Sequence, residues 1–179
     1  MRSAIRAVCV ASLLVGCGSS QLDADDANEP RHAIRIIATD PSGFDAGDAI
    51  AKELEARDDF EPKVLDVAAT AKLLGEMGIK TSKAQLPANQ KRLRGKSVDG
   101  WLDVKMEQHM ASDDPSWIEV RLFSTHDPSR YLFVKWKNAW GGMKGSLADA
   151  TMRKSLKTAA KEIAEELALQ LNDRTKPKQ

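Results

Sequence analysis

Val98-Asp99-Gly100-Trp101-Leu102-Asp103-Val104-Lys105-Met106-Glu107 shifts the chain to a period of two. Val98, Gly100, Leu102, Val104 and Met106 fall on one side; Asp99, Trp101, Asp103, Lys105 and Glu107 fall on the other. That alternation is the signature of a half-buried strand. Trp117 to Ser124 repeats it with Ile118, Val120 and Leu122 inward, and Tyr131 to Lys137 repeats it with Leu132, Val134 and Trp136 inward. Thr125-His126-Asp127-Pro128-Ser129-Arg130, dense in turn formers, joins the last two as a hairpin. Three consecutive alternating strands predict an antiparallel meander.

Upstream the period differs. Ala33 to Ala38 is a short β-branched run that ends in the turn cluster Asp40-Pro41-Ser42-Gly43. Asp45, with Asp48 three residues on, is placed to cap a helix in which Ala46, Ala49, Ile50 and Leu54 recur at helical spacing up to Arg57. Phe60 to Asp66 reads as a second strand, and Val67 to Met77 as a second helix stopped by Gly78. Ser82 to Arg94 carries Pro87, which predicts a short or kinked helix. Downstream, Gly141 to Gly145 breaks the chain, and Ser146 with Asp149 resembles a capping box. It opens a long helix whose stripe is Leu147, Met152, Leu156, Ala160, Ile163, Leu167 and Leu171. The predicted fold is α/β: a mixed five-stranded sheet, βαβα followed by a β-meander, with the last helix packed on it.

Composition agrees with one globular domain. The 179 residues carry 27 Lys+Arg against 26 Asp+Glu, and 42% are hydrophobic. So balanced a charge argues against a nucleic-acid partner, which needs a strong basic field. Two cysteines exclude a disulfide-rich scaffold and a four-cysteine zinc site.

The amino terminus has the layout of a secretory signal peptide: basic Arg2 and Arg6, an apolar stretch from Ala7 to Val15, then small residues before a cysteine. Leu14-Val15-Gly16-Cys17 resembles the bacterial lipobox. That resemblance implies cleavage between Gly16 and Cys17, acylation of Cys17 and anchoring in membrane lipid. Gly18 in the second mature position implies the outer membrane, with the domain facing the periplasm. A diacylglycerol plus an amide-linked chain would satisfy the two-anchor requirement for stable membrane attachment. Residues 1–16 are then the signal and 17–32 the lipidated Cys17 followed by a small, acidic tether of fifteen residues, Gly18 to His32, unable to bury enough surface to order itself. Fifteen residues reach at most about 50 Å. The body runs from 33 to 172, and 173–179 is a polar tail.

The strand, helix, strand, helix order, the Val98-Asp99-Gly100 step into three strands and the long last helix together resemble one bacterial envelope group. It comprises the curli-secretion lipoprotein, the lipoprotein activators of penicillin-binding proteins and the amino-terminal domain of TolB. The resemblance spans residues 33 to 171. Two departures stand out: Val104 and Lys105 occupy positions where a glycine is usual, and the Pro87 segment is weak. What the resemblance implies is a non-enzymatic domain that binds other envelope proteins.

Motifs for chemistry are sparse. His32, His109 and His126 have no zinc-binding spacing, and only His109 beside Asp113 and Asp114 suggests a metal. No Gly-x-Ser-x-Gly elbow or phosphate loop is present, so neither a catalytic residue, a cofactor nor a metal is expected. The enzymatic alternative is a lipid-anchored hydrolase using dispersed acids such as Asp40, Asp45 and Asp99, which would need a pocket uniting them. Two surfaces are candidates for partners. Lys80, Lys83, Lys91, Arg92, Arg94 and Lys96 form a basic run without an acid. Trp101, Trp117, Phe123, Tyr131 and Phe133 occupy the outward side of the meander, among Asp103, Lys105, Glu119, Arg121, Lys135 and Lys137. Aromatics mixed with charges suit protein contacts, unless helices cover both sheet faces and the rings form a second core layer. An oligomer stays open; a pore is not expected, since no long amphipathic hairpins are present.

Overall fold

The computed structural model describes residues 34–108, 113–129, 131–139 and 152–175. Its sheet has the order β2-β1-β3-β4-β5, built from β1 (Ile36–Thr39), β2 (Lys63–Leu65), β3 (Gly100–Gln108), β4 (Pro115–Ser124) and β5 (Tyr131–Lys137). β1 runs parallel to both β2 and β3, whereas β3, β4 and β5 pair antiparallel. The class is α/β with a mixed sheet, as the two periods in the sequence predict.

This order decides where the helices go. β1 connects to β2 through α1 (Phe44–Glu55), and β2 returns across β1 to reach β3 through α2 (Val67–Glu76) and α3 (Pro87–Arg94). Parallel crossovers are right-handed, so two connections running in opposite directions along the sheet lie on opposite faces. Two cores result. On one face Ile37, Leu102, Val104, Ile118, Val120 and Leu122 pack with Ile50 and Leu54 of α1 and with Ile163 and Leu167 of α4 (Leu156–Thr175). On the other face Ala38, Trp101 and Phe123 pack with Leu74 of α2, Ile79, Ala84, Leu93 of α3, and Val98. Each fully buried Leu or Ile contributes about 1.5–3 kcal/mol of transfer free energy.

Local chemistry sets the boundaries. Asp66 caps α2, its Oδ1 accepting from the Ala69 amide at 2.6 Å. α1 starts without a side-chain cap after Gly43, and the Asp48 carboxylate instead accepts from the Val67 amide at 2.8 Å, tying α1 to the start of α2. The expected Asp45 cap is therefore corrected: Asp45 lies exposed in the first turn of α1. Pro87 stands at N1 of α3, where a missing amide costs nothing, so it starts this short helix rather than breaking it. β2 is only three residues, shorter than the expected Phe60 to Asp66.

The last helix is also corrected. It begins at Leu156, because 153–155 is not helical and the Ser155 hydroxyl takes the cap position facing the Thr158 amide at 3.4 Å. The Asn138 side chain holds the chain just before it, donating to the Pro115 and Lys154 carbonyls and accepting from the Lys154 amide, all at 2.8–2.9 Å. Met152, expected on the apolar stripe, is exposed. Ser146, Leu147 and Asp149 lie outside the described residues, as do the lipobox, the tether, His109 and the Gly141 to Gly145 break. No helix among the described residues is long and apolar enough to cross a membrane.

Candidate functional site

Register turns the outward side of the meander into four cross-strand rows. They are Trp101, Phe123 and Tyr131; Asp103, Arg121 and Phe133; Lys105, Glu119 and Lys135; and Glu107, Trp117 and Lys137. α2 and α3 cover the end of this face nearest β1 and leave the rest open.

The first row grades from core to surface. Trp101 is 0% exposed, Phe123 is buried, and Tyr131 at the outer strand is 48% exposed. Trp101 is therefore corrected from a docking residue to a core residue. Its place opposite Ala38 on β1 puts it beneath the α2–α3 layer, and its indole Nε1 donates to Asp40 Oδ2 at 3.3 Å. In the other rows Phe133 is 42% exposed and Trp117 is partly buried, its Nε1 donating to Glu107 Oε2 at 2.6 Å. Lys135 pairs with Glu119 by hydrogen bond and charge. The Lys135 hydrogen bond, helped by the charges of Lys135, Arg121 and Lys105, holds the Glu119 carboxyl below the usual range. Asp103 moves the other way, raised first by burial and then by the Asp40 charge. The open face is thus two exposed rings and one half-covered indole set in a lattice of paired charges.

The basic run lies elsewhere. Arg92 donates from Nη2 to the Met77 carbonyl, and Arg94 from Nη1 to the Thr125 carbonyl. Both guanidinium groups fasten α3 to its neighbours, while Lys80, Lys83, Lys91 and Lys96 are exposed. Fastening was not legible from charge pattern, since the acceptors are backbone carbonyls.

The acids proposed for the hydrolase alternative stand apart. Asp40 is 4% exposed at the carboxyl end of β1, and its Oδ1 accepts from the Ser42 amide at 2.8 Å and the Ser42 hydroxyl at 2.7 Å. Gln85 Nε2 donates to Oδ2 at 3.3 Å, beside the Trp101 indole. Asp99 lies at the opposite end of β1, its amide donating to the Ile36 carbonyl and its carboxylate accepting from the Arg35 amide, with His126 Nε2 at 3.6 Å. Four strand residues separate the two acids, about 13 Å. Asp45 projects from α1. The described residues hold no group of three or more His, Cys, Asp or Glu side chains that could bind a metal. What the arrangement offers chemically is recognition through rings and paired charges.

Comparison with known families, characterised proteins and solved structures gives no match.

Proposed function

We propose that the chain is an outer-membrane-anchored periplasmic lipoprotein whose domain binds other envelope proteins without catalysis, in envelope assembly, cell-wall synthesis regulation or secretion. Lipid attachment is through acylated Cys17, and the acidic tether lets the domain stand up to about 50 Å from the leaflet. The observation that carries the binding role is the open half of the sheet, where Trp117, Tyr131 and Phe133 sit among Lys105, Glu119, Arg121 and Lys135 on three hydrogen-bonded strands. Partly exposed aromatics on a fixed scaffold lose little side-chain entropy on binding and are the residues that anchor protein interfaces. The resemblance to the envelope group supports the same role. The separation of Asp40, Asp45 and Asp99 favours it over the hydrolase reading.

The test is photocrosslinking in intact cells from a reactive residue placed at Trp117, a position flanked by the open face. Capture of an envelope protein that is lost in a Tyr131→Ala, Phe133→Ala double variant of unchanged Tm supports the reading. Capture that ignores the double variant overturns it. The anchor is tested separately: Cys17→Ser should move the protein from the membrane to the soluble fraction, and unchanged fractionation and processing would remove the lipoprotein assignment.

A further inference from the structure

We infer that the outer edge of β5 pairs with the same edge of a second copy, joining two five-stranded sheets about a twofold axis through Val134.

The two edges of the sheet are unequal. β2 offers three residues, too short to template a partner, whereas β5 offers seven with no register irregularity against β4. The ladder shows which backbone groups β5 turns outward. The Asn138 amide donates to the Ser116 carbonyl at 3.0 Å, so the even-numbered residues of β5 face β4. Phe133, Lys135 and Lys137 therefore direct their N–H and C=O groups away from the sheet, and no backbone partner meets them among the described residues. Edge strands are ordinarily defended by a proline, a bulge or a lysine reaching over the edge. β5 has neither proline nor bulge, and of its two outward lysines Lys135 is drawn back over the sheet to Glu119 on β4 while Lys137 stands at the very end of the strand.

The sequence of β5 is complementary to itself when reversed. Antiparallel pairing about Val134 sets Phe133 opposite Lys135 of the second copy, and Lys135 opposite the second copy's Phe133. The same register sets Lys137 opposite the second copy's Tyr131. The Lys137 ammonium then lies beside the Tyr131 ring, a favourable cation–π arrangement, while the aliphatic stem of Lys135, its ammonium held by Glu119, packs against Phe133, and no like charges stand directly opposite. On the other face Val134 meets its own copy and Leu132 meets Trp136. Shifting by two residues in one direction places Lys135 opposite Lys135; shifting in the other leaves Lys137 beyond the strand. Only odd-numbered residues face the edge, so single-residue shifts are excluded. The contact is isologous and closes on itself, as a symmetric dimer requires.

Sedimentation of the full chain in detergent reads the oligomer, and paired charge variants read the register. The parent and Phe133→Glu, which sets an acid opposite Lys135, should sediment as dimers. Phe133→Lys sets like charges opposite each other twice by symmetry and should weaken the dimer by about tenfold. Lys135→Pro removes an outward amide without touching the β4 ladder and should give a folded monomer. A parent that stays monomeric at every concentration, or a dimer indifferent to both Phe133→Lys and Lys135→Pro, overturns the inference. Should Lys135→Pro fail to fold, the two Phe133 variants decide. Because the readout is self-association, failure here leaves the capture of other envelope proteins untouched.

Discussion

Asp40 shows how one side chain organises the end of a strand. Its carboxylate closes the turn through Ser42 and gives the buried Trp101 indole an acceptor, so it serves both the loop and the second core. Removing it leaves a buried donor without a partner and opens the turn. Asp40→Ala should lower unfolding free energy by about 2–4 kcal/mol in a denaturant titration. Asp103, next to it across the strands, is half-buried and raised above the ordinary carboxylate value by burial and by the Asp40 charge. A raised folded-state value means that the native protein holds this proton more tightly than the unfolded chain. Its contribution is therefore neutral below the unfolded value in the sense of both states being protonated, and stability is lost as pH rises from there through the folded value. Asp103→Asn should raise Tm at pH 7, and the gain should fade as pH is lowered through the carboxylate range. A gain that persists in full at low pH would refute the charge origin.

Helix boundaries depend on acceptors supplied at particular residues. α2 draws on two, Asp66 in its own cap and Asp48 from α1. Asp66→Ala should cost about 1 kcal/mol by the same titration. Asp48→Ala should cost a comparable amount even though Asp48 lies nineteen positions upstream of the amide it serves. That pair marks the limit of what the sequence revealed. The periods of two in β3, β4 and β5 and the span of α2 were readable, because they rest on neighbours a few residues apart; Asp66 reads as the end of a strand and Pro87 as a kink, although each opens a helix. The Asp48 bond, the Asn138 clasp and the burial of Trp101 were not, since each depends on an element brought in from far along the chain. Trp101 and Tyr131 look alike in the alternating pattern. Only the sheet order, which lays α2 and α3 over one end of the face, makes one a core residue and the other a surface residue. The interruption before α4 has the same cause: the stripe read from the sequence runs on from Met152, which is helical, to Leu156, but the Asn138 side chain grips Lys154 where 153–155 leave the helix.

At the scale of the molecule, both cores draw on alternate residues of the same strands. Leu102 packs under α1 and α4 while its neighbour Trp101 packs under α2 and α3, and Leu122 and Phe123 on β4 divide in the same way. Neither layer can lose its packing without exposing the back of the sheet that the other needs. The described unit should therefore unfold in one transition, with near-ultraviolet signals from the buried Trp101 and far-ultraviolet signals from the backbone superimposing along a denaturant gradient. Trp101→Ala should shift that whole transition by about 3–5 kcal/mol, because it empties the middle of the second core. Phe133→Ala removes a ring that is 42% exposed at the far end of the same face. It should shift the transition by less than about 1 kcal/mol. A Trp101→Ala protein that lost its near-ultraviolet signal early while keeping the backbone transition in place would mean that the α2–α3 layer opens independently. The open face would then extend inward to β1, and Trp101 would return to the surface available to a partner.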